Sequence, residues 1–255
     1  MRTLAIHALE GMPGIRPGTD LADEILGAAA RNGLRLADGD IVVIAQKIVS
    51  KAEGRSVRLE AIVPGAAAQA LAHTTGKDPR LAELVLGESA AVLRARRNVV
   101  VVEHRLGHVM ANAGVDRSNL DAAPDDEAVV LLLPEDPDRS AAALRDRLRA
   151  ATGVRLGVVI SDSFGRAWRL GTVGVALGLA GPPAVIDRRG EADLYGRPLQ
   201  VTEIGFADAV AAAAVLVMGE GAEGCPVAVV RGQSWSESRQ TARDGLRPRS
   251  EDMFR

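Results

Sequence analysis

The sequence predicts an α+β fold of mixed and antiparallel sheets carrying helices, on three observations. Strand-like and helix-like patterns are interspersed without a clean β-α-β alternation. Hairpin-like pairs interrupt the order, as in "NVVVVEHRLGHVMANAG". Of the 255 residues 47% are hydrophobic but only 2% aromatic, so the chain can bury a core built from Ala, Val, Leu and Ile.

Taken in order, Thr3–Leu9 reads as a short strand, and "GMPGIRPGTD" as a Gly- and Pro-marked loop. Asp20 caps a helix running to Asn32. "DGDIVVIAQ" is a turn and then a buried strand over Ile41–Ile44. Ala66–His73 and Arg80–Arg97 read as helices. The segment from Asn98 makes a hairpin turning near Arg105–Gly107, and "AVVLLLP" is another strand. Ser140–Thr152 is an amphipathic helix. "RLGVVISDS" is a strand with a polar end at Ser161–Ser163, and the Gly-rich "TVGVALGLAG" is a close-packed segment. "LQVTEI" is a strand, Phe206–Met218 an Ala-rich helix and "PVAVVRG" the last strand. The tail from Gln233 is polar and expected to be partly mobile. Length suits one large domain or two small ones. "PEDPDRS", residues 134–140, is the most linker-like stretch and the candidate subdomain boundary.

Charge narrows the function classes. With 31 basic and 33 acidic residues the net charge is −2, which argues against a non-specific nucleic-acid binder. The one cysteine, Cys225, rules out an internal disulfide framework. No signal peptide or membrane-length apolar run is visible, so a cytoplasmic protein without a membrane partner is expected. Only Lys47, Lys51 and Lys77 are lysines in an Arg-rich chain. A lysine that survives such a bias is either there by chance or required as a compact point charge that a guanidinium cannot replace.

"VMGEGAEGCPVAVV" holds Gly219, Gly221 and Gly224 in the spacing G-x-G-x-x-G. A dinucleotide fingerprint needs a strand before the glycines and a helix after them; here the helix comes first. The loop is therefore either an ordinary helix C-cap or a ligand loop whose glycines admit a close approach and whose Glu220 and Glu223 could hold a metal beside a phosphate. "ANAGVDRSN" sets Asp116 between Asn112 and Asn119, as an Asx turn or as a recognition element. "VVISDSFGRAWRLG" puts Asp162 and Ser163 at the end of a buried strand, followed by Arg166 and Arg169. That is either a capped helix start with solvated arginines, or oxygen ligands for Mg²⁺ or Mn²⁺ beside an anion site. The histidines, His104 and His108 included, show no metal spacing and read as surface groups. No nucleophile elbow is present, so covalent catalysis is not expected.

These stretches together resemble one family, the coenzyme F420-0:L-glutamate ligases, which are the γ-glutamyl ligases of a deazaflavin coenzyme. "GMPGIRPGTDL", "DGDIVVIAQKIVSKAEGR", "ANAGVDRSN", "SDSFGRAWRLG", "DLYGRPLQVTEIGFADAVAAAA" and "VMGEGAEGCPVAVVRG" carry the resemblance, in family order, from residue 4 to residue 232. It implies a single ligase unit over 1–255 with the family's own α+β fold, an intertwined homodimer. It also implies GTP as co-substrate, two divalent cations (Mg²⁺ or Mn²⁺), K⁺ as a further candidate, and L-glutamate with F420-0 or F420-1 as substrates. By the resemblance, Met12, Pro13, Gly14 and Ile15 are the first nucleotide loop; Gln46, Lys47 and Lys51 are further GTP contacts. Asn119 and the segment Met218, Gly219, Glu220, Gly221, Ala222, Glu223, Gly224 and Cys225 complete the nucleotide site. Asp116 and Asp162 are implied ligands of one metal, Ser163 and Glu220 of the second; Lys51 and Arg166 neutralise developing charge. Two other classes are compatible with the same residues: a GTP-binding regulatory protein without activity, and an amide ligase with a different acceptor.

Overall fold

A computed structural model describes residues 3–118 and 129–253. β1 (Ala5–Ala8) leads through a loop to α1 (Leu21–Arg31). β2 (Ile41–Ala45) runs straight into α2 (Gln46–Ala52). A short β3 (Ser56–Arg58) precedes α3 (Ala66–Thr75) and α4 (Pro79–Gly87). β4 (Ser89–Arg96), β5 (Val99–His104) and β6 (Val109–Ala111) form an antiparallel meander. β7 (Val129–Leu131) precedes α5 (Pro137–Thr152). β8 (Gly157–Arg166) and β9 (Arg169–Ala180) make a long hairpin. β10 (Val185–Asp187), β11 (Glu203–Gly205), α6 (Phe206–Met218) and β12 (Val227–Arg231) complete the order.

The central sheet runs β1-β12-β2-β8-β9. All its pairings are antiparallel except β2 with β8, which are parallel with Ala45 opposite Ser161. This mixed sheet, with the antiparallel β3-β7, β4-β5-β6 and β10-β11 sheets around it, is the expected α+β class. β2 shows why its run "IVVI" has no polar face. Val42 and Ile44 pack with α1 and α5, while Ile41 and Val43 pack with α6 on the other side. A strand covered by helices on both faces reads as continuously apolar.

The near absence of aromatics is met by close approach. A Cβ on Gly174 of β9 would lie 2.5 Å from the Ala211 carbonyl oxygen of α6, and one on Gly178 would lie 2.2 Å from the Pro137 oxygen at the start of α5. Both helices therefore rest on glycines of one strand. Backbone cannot yield as a flexible side chain can, so Gly178→Ala is expected to destabilise the protein by about 1–3 kcal/mol. Chemical denaturation measures this, and a midpoint within error of the parent would contradict the packing described. Residues 134–140 contain the start of α5, with Asp136 as its N-cap accepting from Arg139 N at 3.1 Å.

Three expectations are corrected. Arg80–Arg97 is not one helix. α4, capped by Asp78, stops at Gly87, and Ser89–Arg96 pairs with Val99–His104 instead. Ala, Leu and Arg favour helix, but an edge-to-edge partner overrides that preference. His104 and His108 are buried, not superficial. His104 Nδ1 accepts from Leu106 N at 2.9 Å, and burial, followed by the His104 and Arg243 charges, pushes His108 down to about 4. The tail is anchored over much of its length: Trp235 donates to the Gly39 oxygen at 2.8 Å, and Gln240 Oε1 accepts from Ala184 N and Val185 N.

Candidate functional site

Chain direction brings four segments to one end of the central sheet. β1 ends into the loop holding Met12–Ile15, with Leu9 N donating to Val227 O. β2 ends at Ala45, whose amide donates to Pro226 O at 2.8 Å. That bond fixes the glycine loop, which runs directly into Pro226 and β12, beside the start of α2. The parallel pairing of Ala45 with Ser161 sets Asp162 and Ser163 next to Gln46 and Lys47. These segments enclose a cavity of 730 Å³.

Its walls hold nearly every residue singled out from the sequence. Met12, Pro13, Gly14 and Ile15 form one side. Gln46, Lys47 and Lys51 form another, and the whole of Met218–Cys225 a third. Asp116, Asp162, Ser163 and Glu220 lie between them. Lys47 and Lys51 are four apart on α2 and so share a face. Gln46 is buried, with its Oε1 accepting from Ser50 Oγ at 2.9 Å. Asn119 lies outside the described residues. Arg166 is not brought to the cavity. β8 does not end at Ser163 but continues into the hairpin, so Arg166 sits at the exposed tip, donating to Leu170 O at 3.3 Å.

The register of that hairpin sets Asp162. Ile160 pairs with Gly178 but Ser161 with Ala176, a shift of one residue in β9 immediately before Asp162. Such irregularities re-aim side chains beside functional sites. Two helix carboxylates take amides next to the shift: Asp208 accepts from Ala176 N at 2.9 Å and Asp138 from Leu179 N at 2.9 Å. Burial raises both acids, against the hydrogen bonds that lower them.

The electrostatics couple the acids to one another. Burial pushes Asp162 up to about 6; the charges of Asp116 and Glu220 push the same way, against the Ser163 backbone and Lys47. Asp116 is also desolvated, but Lys47 Nζ at 2.6 Å from Oδ2, together with Ser118, holds its carboxyl below the usual range. Ser163 Oγ donates to Glu220 Oε1 at 2.5 Å. The donors are thus carboxylate and hydroxyl oxygens, the set that hard divalent cations take. Among the described residues no three His, Cys, Asp or Glu side chains form a ready-made metal cage. Mg²⁺-type ions do not require one, since they bind through one or two carboxylates, waters and substrate phosphates. Asp162, in the field of Asp116 and Glu220, is a place where added positive charge is stabilising, so the donor set fits.

The glycine loop ends α6 in a backbone conformation other than the usual left-handed cap. Gly219 has φ 75° and ψ 174°, a conformation essentially confined to glycine. Gly221 N donates to Glu223 Oε2 at 2.7 Å, folding that carboxylate back over the loop. Burial, then the charges of Glu10 and Glu223, raises the Cys225 thiol, so it stays protonated and is no nucleophile at neutral pH.

The sequence pattern of F420-0:Gamma-glutamyl ligase matches residues 11–232. The chain belongs to this family. It is 47% identical to a coenzyme F420:L-glutamate ligase of Methanothermobacter thermautotrophicus, over 99% of each chain. It is 45% identical to one of Methanopyrus kandleri, over 99% of this chain and 98% of that one, and 43% identical to one of Archaeoglobus fulgidus, over 89% and 87%. The span matched by the F420-0:Gamma-glutamyl ligase pattern contains all four cavity segments.

Sequence reasoning missed Ser118 and Thr172 of the wall. Ser118 N and Oγ donate to Asp116 Oδ1 and Oδ2 at 2.8 and 3.0 Å, and Lys47 donates to Ser118 Oγ at 2.5 Å. The Asx turn at Asp116 is therefore present, and it presents the acid to the cavity. Thr172 enters through strand pairing with Gly165, which leaves no local signal. Asn112 serves the fold, its Oδ1 accepting from Val100 N at 3.4 Å.

Proposed function

We propose that this chain is a GTP-dependent ligase that joins L-glutamate to coenzyme F420-0, and to F420-1, through γ-glutamyl amide bonds. The observation that carries the reading is the convergence of Asp116, Asp162 and Glu220 from three distant segments, with Lys47, Lys51 and a glycine-cradled loop, around one 730 Å³ cavity. Membership of the family and the names of its relatives supply the substrate class.

A carboxylate does not form an amide in water without activation. In this reading the terminal carboxylate of the acceptor attacks the γ-phosphorus of GTP, giving an acyl phosphate and GDP. The amine of L-glutamate then attacks the acyl carbon; the C–N bond forms, the C–O bond breaks and inorganic phosphate leaves, with loss of the amine proton. Lys51, with Lys47, neutralises charge on the phosphates, and the Gly219–Gly224 backbone lets them approach. Asp116 and Asp162 would hold one divalent cation, Ser163 and Glu220 the other. Such cations supply charge stabilisation at phosphate oxygens. The protein then acts mainly by positioning, as elsewhere in phosphoryl transfer.

A homodimer fits the large apolar side chains left exposed on the hairpin tip and the 187–203 loop, among them Leu170, Leu194, Tyr195 and Val201. No described helix is long and apolar enough to cross a membrane, and the net charge of −2 lacks the basic excess of a non-specific nucleic-acid binder.

Incubation with GTP, Mn²⁺, L-glutamate and F420-0, read by mass spectrometry, should yield the glutamylated acceptor, GDP and phosphate. Asp116→Ala and Glu220→Ala should each lower turnover by about 10²–10³-fold, with circular dichroism unchanged. GTP binding by calorimetry without any product would make the protein a binder and not a ligase.

A further inference from the structure

A second, smaller recess of 160 Å³ adjoins the main cavity. It shares Gln46, Asp116, Asp162 and Ser163 with that cavity but none of the Met12–Ile15 loop, the lysines or the glycine loop. Its other walls include Met110, Val115 and Phe164, with Gly114 and Gly165 between them. These walls are stiff. A Cβ on Gly114 would lie 2.8 Å from Leu133, and the buried His108 ring meets Phe164 edge-on with centroids 5.8 Å apart.

We infer that this recess takes the carboxylate-bearing end of the acceptor, and that L-glutamate enters elsewhere. The inference rests on the ligase reading above. Attack on a terminal phosphorus must come from the side away from the rest of the nucleotide. The recess joins the main cavity at Gln46, Asp116, Asp162 and Ser163 while touching none of the Met12–Ile15 loop, the lysines or the glycine loop that hold the nucleotide in that reading. Its chemistry chooses between the two carboxylic substrates. No Lys, Arg or His is among its described walls. Free glutamate carries two carboxylates and an ammonium, and burying these without partners is costly. A chain end brings a single carboxylate, directed at the acid cluster and whatever cations it holds, while its carbon atoms rest on Met110, Val115 and Phe164. The small volume suits a short terminus whose remaining bulk stays outside.

Gly165 offers a clean probe. It lies in β8 at a φ open to any residue, and a Cβ there meets nothing within 4 Å. Gly165→Val thus narrows the recess without a clash in the fold, and valine suits a strand. For the full chain with Mn²⁺ and GDP, calorimetry should show acceptor affinity weakened about tenfold or more, and steady-state kinetics should show the acceptor KM raised alike. GDP affinity and the glutamate KM should stay within about twofold. Gly165→Ala should give a smaller loss in the same direction, and it carries the test should the valine variant fold poorly. Unchanged acceptor binding in both variants, or a loss falling on the glutamate KM, overturns the assignment. A parent protein that binds GDP but neither binds nor turns over the acceptor overturns the ligase reading itself, and the assignment with it.

Discussion

Asp162→Asn should abolish turnover and at the same time raise the melting temperature. The carboxyl titrates near 6 in the fold against 3.8 in the unfolded chain, because it is desolvated and lies in the field of Asp116 and Glu220. Between those values the folded protein retains a proton that the unfolded chain has released. The stability linked to that proton is fully present below pH 3.8 and is lost as pH rises through 6. At neutral pH the ionised form costs roughly 3 kcal/mol. An amide of the same shape escapes that cost, so at pH 8 the variant should melt roughly 5 °C higher. The two melting curves should converge near pH 4. The same change removes an anionic oxygen from the proposed cation site, and turnover should fall about 10³-fold. Calorimetric melts from pH 4 to 8 with parallel assays test both halves. A variant less stable than the parent at pH 8 would contradict the electrostatic account, and one that keeps its rate would remove Asp162 from the chemistry.

Gly219→Ala should cripple nucleotide binding while leaving the body of the protein folded. At φ 75° and ψ 174° a side chain is strained by about 1–3 kcal/mol. Its Cβ would also fall 2.2 Å from Glu223 Cδ. Glu223 is exposed and can move aside at the loss of its bond from Gly221 N, so the lasting penalty is the backbone strain. Relief of that strain shifts the loop and with it Glu220, which Ser163 holds. GDP affinity with Mn²⁺ is expected to fall about 100-fold, as one strained contact and its lost ligand together imply, with a melting point only a few degrees lower. Unchanged GDP affinity by calorimetry would show that the loop is a mere helix terminus. Gly224, also at positive φ but with open space around it, should tolerate Asn better.

Much of the fold was legible wherever one local signal decided the outcome. Asp20 marked the start of α1, Phe206–Met218 came out with its observed bounds, and the hairpin turn after His104 lay where its Arg-Leu-Gly indicated. What escaped were features set by partners far along the chain. Ser89–Arg96 has helix-forming residues and becomes a strand because β5 lies beside it. Asp162 sits within a strand and not at its end, since β9 pairs with the whole of "SDSFGR". The site shows the same division. Residues inside recognisable motifs gather at the cavity, whereas Thr172, and the recess walled by Met110, Val115 and Phe164, come from pairings that no local pattern announces. Arg166 was placed by its nearness in sequence to Asp162; a strand rising roughly 3.3 Å per residue carries it out of reach.

The lone parallel pairing in the central sheet has a kinetic corollary. Ala45 and Ser161 become neighbours only after a long stretch of intervening chain has been closed into a loop. Partly folded forms in which the meander or the β8–β9 hairpin exists alone contain at most half of the acid-and-lysine constellation. On the proposed reading, nucleotide and cation would therefore stabilise the finished molecule, slowing its opening without hastening its assembly.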